Sequence, residues 1–279
     1  MSSQGLLGQP PALGQPSILD LLHLERIEEN LYRSCVVVER PWALYGGQVA
    51  AQALYAAGRT VPDGRLPHSL HGYFLRSGSA AHPTVFEVFR DRDGRSFSAR
   101  RVVAVQDGEV IFNMSTSFHR PEPGADYIGD LPLDAPSYEG LEDTVEYGRM
   151  GSWLRVRAIP SRLPQPSGDG FPRSSRLWCR VIQRLADDPV VHACALAYMS
   201  DMGSGFAETE LPGSPRGGAS IDHSIWFQDP VRADEWVLVE MWPMKAGGAR
   251  GLYAGSMRDA HGRLAGLLTQ EMLIRPARI

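Results

Sequence analysis

The hydrophobic and polar positions of the chain follow two rhythms, and their order is given twice. Residues 46–58, GGQVAAQALYAAG, are dense in Ala and Leu, which favour helix, and Gly58 is a natural stop. Behind them, SLHGYFL (69–75) and TVFEVFRDRDGRSFSARRVVAVQDGEVIFNMSTSF (84–118) are strand-like, with Asp-Gly pairs at 93–94 and 107–108 marking hairpin turns. The second pass begins with VVHACALAYMSD (190–201), an apolar helical segment. It continues through ASIDHSIWF (219–227) and the strand-like run 235–274, with His261-Gly262 in its turn. A short helix is expected over SILDLLHL (17–24), with Ser17 as N-cap.

Three short matches give the two passes a register. His68-Ser69-Leu70 matches His223-Ser224-Ile225, Gly94-Arg95-Ser96 matches Ala249-Arg250-Gly251, and Arg120-Pro121 matches Arg275-Pro276, all 155 residues apart. Three matches at one offset, with the helix-then-strands order kept, indicate a duplicated unit. Tight Asp-Gly turns suit antiparallel meanders rather than βαβ crossovers, so the expected class is α+β. Each sheet would wrap around its long helix, and the two sheets would join edge to edge. The expected division is a disordered tail over 1–17, a first unit over 18–120, a connector over 121–148 and a second unit over 149–279. The connector window holds eight acidic residues and no Lys or Arg, which argues for exposure.

Composition narrows the class without naming a chemistry. At 43% hydrophobic and 22% charged residues the chain can build an ordinary globular core. A net charge of −4 gives no reason to expect nucleic acid or an anionic membrane as partner. Cys35, Cys179 and Cys194 form no CxxC pair, which fits reduced thiols. No apolar run reaches the roughly 18 residues of a membrane span. The first residues lack the basic start of a signal peptide, and the final ARI differs from the Ser-Lys-Leu peroxisomal address. The expectation is a soluble, cytoplasmic protein. No HExxH or paired His/Cys spacing suggests a metal.

The segments GGQVAAQALYAA, HSLHGYFL, DGRSFSARRV, LAYMSD, SIDHSIWF and TQE resemble the acyl-CoA thioesterase II family, which includes bacterial thioesterase II and peroxisomal acyl-CoA thioesterases. The likeness runs from about residue 18 to 276. It implies a double-hotdog fold and hydrolysis of fatty acyl-CoA, with medium to long chains expected, to free fatty acid and coenzyme A. It implies no cofactor, and it implies association into a homo-oligomer, a dimer or tetramer.

Candidate chemistry centres on three residues. In RLAGLLTQEMLI, period-two alternation puts Leu264, Leu268, Gln270, Met272 and Ile274 on one face, so the Gln270 amide lies in apolar surroundings and needs a polar partner. A neighbouring backbone group would also satisfy it. Asp201 closes a helix whose C-terminal end already carries partial negative charge, an uncomfortable place for a carboxylate without partners. At the 155-residue offset, Asp201 faces Gly46, Ser220 faces Arg65, and Gln270 faces Ser115 or Thr116. A polar set present in one copy and absent from the other fits one site better than a folding requirement. The family's catalytic Asp, Thr or Ser, and Gln match Asp201, Ser220 and Gln270. In that role Asp201 is general base to a water that Ser220 and Gln270 orient, with burial raising its pKa.

Other readings remain open at this stage. Ser220 as a covalent nucleophile lacks a GxSxG turn, and His223, three residues on in a strand, is expected on the other face. His68 and His71 are alternative bases. Leu54, Tyr55, Tyr73 and Phe74 suit an acyl groove or plain core. Arg92, Arg95, Arg100 and Arg101 offer guanidinium groups to the phosphates of coenzyme A, though hairpin arginines are often only solvated. The GGQ start at 46–48 offers free N–H groups to an anion or a thioester oxygen. The Gly- and Pro-rich loop over 203–218 leaves the entrance unspecified. A non-catalytic acyl-CoA sensor and a hotdog hydratase are the rival functions.

Overall fold

The computed structural model describes residues 17–37, 43–128, 135–144, 153–160, 175–206 and 218–275. The tail expected over 1–17, apart from Ser17, and most of the 203–218 loop lie outside these residues.

Helix α1 (Ile18–Leu22) is closed by a capping box between Ser17 and Asp20. Helix α2 (Gly46–Gly58) has the bounds that its Ala-rich pattern suggested. Gly58 is its last helical residue without adopting a left-handed turn; a Cβ there would sit 3.0 Å from Val190 Cγ1, so its smallness serves helix packing. Helix α3 (Pro189–Ser200) starts on Asp188, whose side chain accepts from the Val190 N–H, and ends on Asp201. Its nine residues from His192 to Ser200 are all buried, which is why it carries no polar stripe.

The strands are β1 (Leu24–Glu28), β2 (Leu31–Ser34), β3 (Leu66–Phe74), β4 (Val85–Asp93), β5 (Phe97–Gln106), β6 (Glu109–His119), β7 (Leu154–Ala158), β8 (Ser175–Val181), β9 (Asp222–Phe227), β10 (Val237–Gly247), β11 (Arg250–Asp259) and β12 (Leu264–Leu273). They form one antiparallel sheet in the order β1-β2-β4-β5-β6-β3-β9-β12-β11-β10-β8-β7. The order reads the same from either edge once each strand is exchanged for its duplicate, and the halves meet where β3 pairs with β9, Leu70 opposite Ile225. This is the α+β double hotdog. Helix α2 crosses β3 to β6 and packs on α3, and one apolar core runs through both halves.

Two expectations need correction. The offset of 155 holds for parts of the sheet but not for the helices, which begin at Gly46 and Pro189. Arg59, the C-cap of α2, is therefore the positional counterpart of Asp201, and not Gly46. Strands β1, β2, β7 and β8 were not anticipated; β1, at one edge of the sheet, has four exposed residues of five and lacks the alternation that marks a half-buried strand. The described residues of the acidic window are exposed or half-buried, and some of them are pinned to the second half. Tyr138 stacks on Trp236 at 5.1 Å, Trp178 donates to Pro136 O at 2.9 Å, and Asp143 pairs with Arg155 and Arg157. Residues 135–144 thus strap the outer face of the second half.

Candidate active site

Asp201 is 8% exposed at the end of α3, where the helix dipole disfavours it. The antiparallel packing of the helices supplies the remedy, because the start of α2 lies beside the end of α3. The Gly47 N–H donates to Asp201 Oδ2 at 2.8 Å. A Cβ on Gly46 would come within 2.6 Å of that same oxygen and 2.9 Å of the Phe74 ring, so the approach depends on glycine. The GGQ start does receive an anion, and the anion is the protein's own Asp201. Burial raises the Asp201 pKa, against the opposing pull of His223, the Gln270 amide and the Gly47 N–H.

The other oxygen, Oδ1, accepts from Gln270 Nε2 at 2.9 Å. The second hydrogen of that amide goes to Ser220 Oγ at 2.5 Å. Ser220 stands just before β9 and forms an isolated bridge with Met272, while Gln270 projects inward from β12 and is 2% exposed. The centre of the sheet, at β9 and β12, and the end of α3 thus bring the three residues named from sequence into one bonded set. Reversing the Gln270 amide would aim its carbonyl at the carboxylate, so its orientation is fixed by charge.

The remaining Gln270 atom, Oε1, meets His223 Nδ1. This overturns the expectation that His223 faces away. Counting alternate faces from Ser220 fails because β9 starts only at Asp222, so Ser220 is outside the strand's parity. His223 Nε2 lies 2.7 Å from Ser200 Oγ. Burial depresses the His223 pKa, favouring the neutral ring. A neutral ring with Nδ1–H toward Gln270 leaves Nε2 an acceptor facing Ser200 Oγ, whose one hydrogen it shares with Ala197 O at 2.8 Å. A chain Ser200–His223–Gln270–Asp201 results, which alternation alone did not reveal.

Several candidates are placed elsewhere. His68 bonds Ser117 at 2.8 Å beside His119 and Phe97, and His71 packs edge-on against Trp226. Tyr73 is 56% exposed and Leu54 is core, whereas Phe74 stays beside the site, its ring next to Gly46 and tilted against Phe112 at 5.0 Å. Arg100 is fully buried and bonds Thr60 O at 2.9 Å, Thr60 Oγ at 2.8 Å and Asp93 at 2.8 Å. It thus places a cation near the end of α2, where Asp201 places an anion at the end of α3, and it is unavailable to phosphates. Arg101 lies over the Phe89 ring at 4.0 Å. A cavity of about 560 Å³ lies at the start of α3, among Leu66, His119, His192, Phe227 and Arg232, away from the Asp201 end. No group of described residues has the makings of a metal site.

Comparison with known proteins follows the same outline. Residues 38–119 match the model of the acyl-CoA thioesterase N-terminal domain, and residues 130–274 match that of the C-terminal domain. The chain is 31% identical to human acyl-coenzyme A thioesterase 8, covering 96% of this chain and 92% of that one. It is 30% identical to acyl-CoA thioesterase 2 of Haemophilus influenzae, covering 93% and 97%. Among solved structures, acyl-CoA thioesterase II TesB2 from Mycobacterium marinum superposes with a TM-score of 0.80 at 41% identity, covering 93% and 97%. With both domain models matched in order and relatives aligned over nearly their whole length, the chain belongs to the acyl-CoA thioesterase II family.

Proposed function

We propose that this chain hydrolyses fatty acyl-CoA thioesters of medium to long chain length by direct attack of a water held by Asp201, Ser220 and Gln270. The supporting observation is the bonded set itself: one amide spans the carboxylate and the hydroxyl, leaving lone pairs on Asp201 to take a proton. In this reading the water loses a proton to Asp201 as its oxygen attacks the thioester carbon. The tetrahedral adduct then expels the thiolate as the C–S bond breaks, and Asp201 returns the proton to sulfur. Free acid and coenzyme A leave, and Asp201 is again ionised.

Ser220 acts as an orienting hydroxyl, since the closest imidazole in the set faces Gln270 rather than Ser220. Thiol release measured in the pre-steady state tests this. Direct water attack predicts no burst and no acylated protein by mass. A burst matching the enzyme concentration, with acyl mass on Ser220, would replace the water mechanism by a covalent one. Hydration of an enoyl-CoA without thiol release would instead favour a hydratase. A cytoplasmic setting and a homo-oligomer belong to the same proposal, the first supported by three unpaired cysteines, two of them buried. Among the described residues no helix is long and apolar enough to cross a membrane.

A further inference from the structure

The hydrogen-bond donors around Asp201 are nearly all committed. The Gly47 N–H goes to Asp201, both Gln270 amide hydrogens go to Asp201 and Ser220, and His223 Nδ1 faces Gln270. The Tyr45 hydroxyl donates to Tyr198 O at 2.9 Å. The Ser220 hydrogen is left for the water. Thioester attack also places negative charge on the former carbonyl oxygen, and that charge needs a donor in a dry site.

Tyr253 has such a donor and, among the described residues, no partner for it. Its hydroxyl is buried without a hydrogen bond, and the residue is 0% exposed. On β11 it stands directly opposite Gln270 of β12, so the two side chains rise from the same face of the sheet. The turn that follows Asp201 packs onto it: Phe206 meets its ring edge-on at 6.4 Å, and a Cβ on Gly205 would collide with the Tyr253 side chain. Asp201 and Asp222 are the carboxylates whose charge it feels. An unsatisfied buried hydroxyl is a cost to folding, and phenylalanine would fill the same space without it.

We infer that Tyr253 is a further catalytic residue, its hydroxyl donating to the carbonyl oxygen of the bound thioester and to the oxyanion formed on attack. The inference rests on the hydrolase reading above. Strand pairing puts Tyr253 beside the amide that holds the attacking water, so its hydroxyl and Asp201 would address the carbonyl oxygen and the attacking water respectively.

The test is Tyr253→Phe, which removes one oxygen, run beside wild type and Asp201→Asn. The expected result is a kcat lower by about 10²-fold with KM little changed, as for the loss of one oxyanion donor, and a Tm equal to or above that of wild type. On a dithioester analogue, whose C=S is a poor acceptor, wild type and variant should converge. Full activity of Tyr253→Phe beside an inactive Asp201→Asn would overturn the role of Tyr253 and leave the hydrolase reading standing. A defect that persists undiminished on the dithioester would remove the hydroxyl from the carbonyl oxygen and so overturn it too. Wild type that releases no thiol would bring down the hydrolase reading and this inference together.

Discussion

Replacing His223 isolates what the buried hydrogen-bond chain does. His223→Leu fills much of the space but removes the donor facing Gln270 Oε1. That oxygen belongs to a residue 2% exposed, so leaving it unpaired costs about 1–3 kcal/mol. Part of that cost is relieved if the amide turns over, which surrenders its bonds to Asp201 and Ser220. At roughly 1.4 kcal/mol per tenfold, the correctly turned amide loses about 5- to 150-fold in relative population. We expect kcat to fall by that range, with KM nearly unchanged and stability lower by about 1–3 kcal/mol. His223→Asn places an N–H near the position of Nδ1 and should recover most of kcat. The acid limb of the pH profile should persist in His223→Asn, because in the proposed mechanism it belongs to Asp201. The assay is thiol release against pH, with urea unfolding in parallel. Equal impairment of the Leu and Asn variants at equal stability, or loss of the acid limb in His223→Asn, would refute the positioning role.

Other outcomes follow from the same geometry. Gly46→Ala should favour helix by about 0.5–1 kcal/mol on propensity, yet its Cβ meets Asp201 Oδ2, so kcat should fall while the fold is kept. Unchanged kcat by thiol release would mean that Asp201 need not hold its place. Burial raises the Asp201 pKa, so the proposed base is lost as pH falls through a value above the ordinary 3.8, and the acid limb of kcat/KM should lie above it. By linkage, the stability tied to the protonated carboxyl is fully present below its unfolded pKa and is lost as pH rises through its raised folded pKa. Arg100→Met strips the bonds to Thr60 and to the partly exposed Asp93 and should cost roughly 1–3 kcal/mol in urea unfolding, while kcat per folded molecule stays near wild type.

Much of this site was legible before any coordinates. Asp201 was conspicuous because it violated helix electrostatics, and Gln270 because it interrupted an apolar face. Both anomalies were local, and local rules exposed them. What made Asp201 tolerable was not local: the Gly47 N–H comes from another helix, and only the antiparallel packing of α2 and α3 brings it there. His223 was misplaced because strand parity was counted from a residue outside the strand. Arg100 was mistaken for a surface group because hairpin arginines are usually exposed, whereas this one closes the end of α2 from inside. The duplication was readable from the sheet, whose register is rigid, but not from the helices, whose loops differ in length.

The proposed role of Asp201 as general base stands or falls on thiol release from a series of acyl-CoA esters by wild type and Asp201→Asn. Wild type should turn over and the variant should fall by 10²-fold or more, the order expected for a lost general base, with acyl-CoA binding retained. Turnover by Asp201→Asn near the wild-type rate, or acyl-CoA binding by wild type without thiol release at any chain length, would contradict that role.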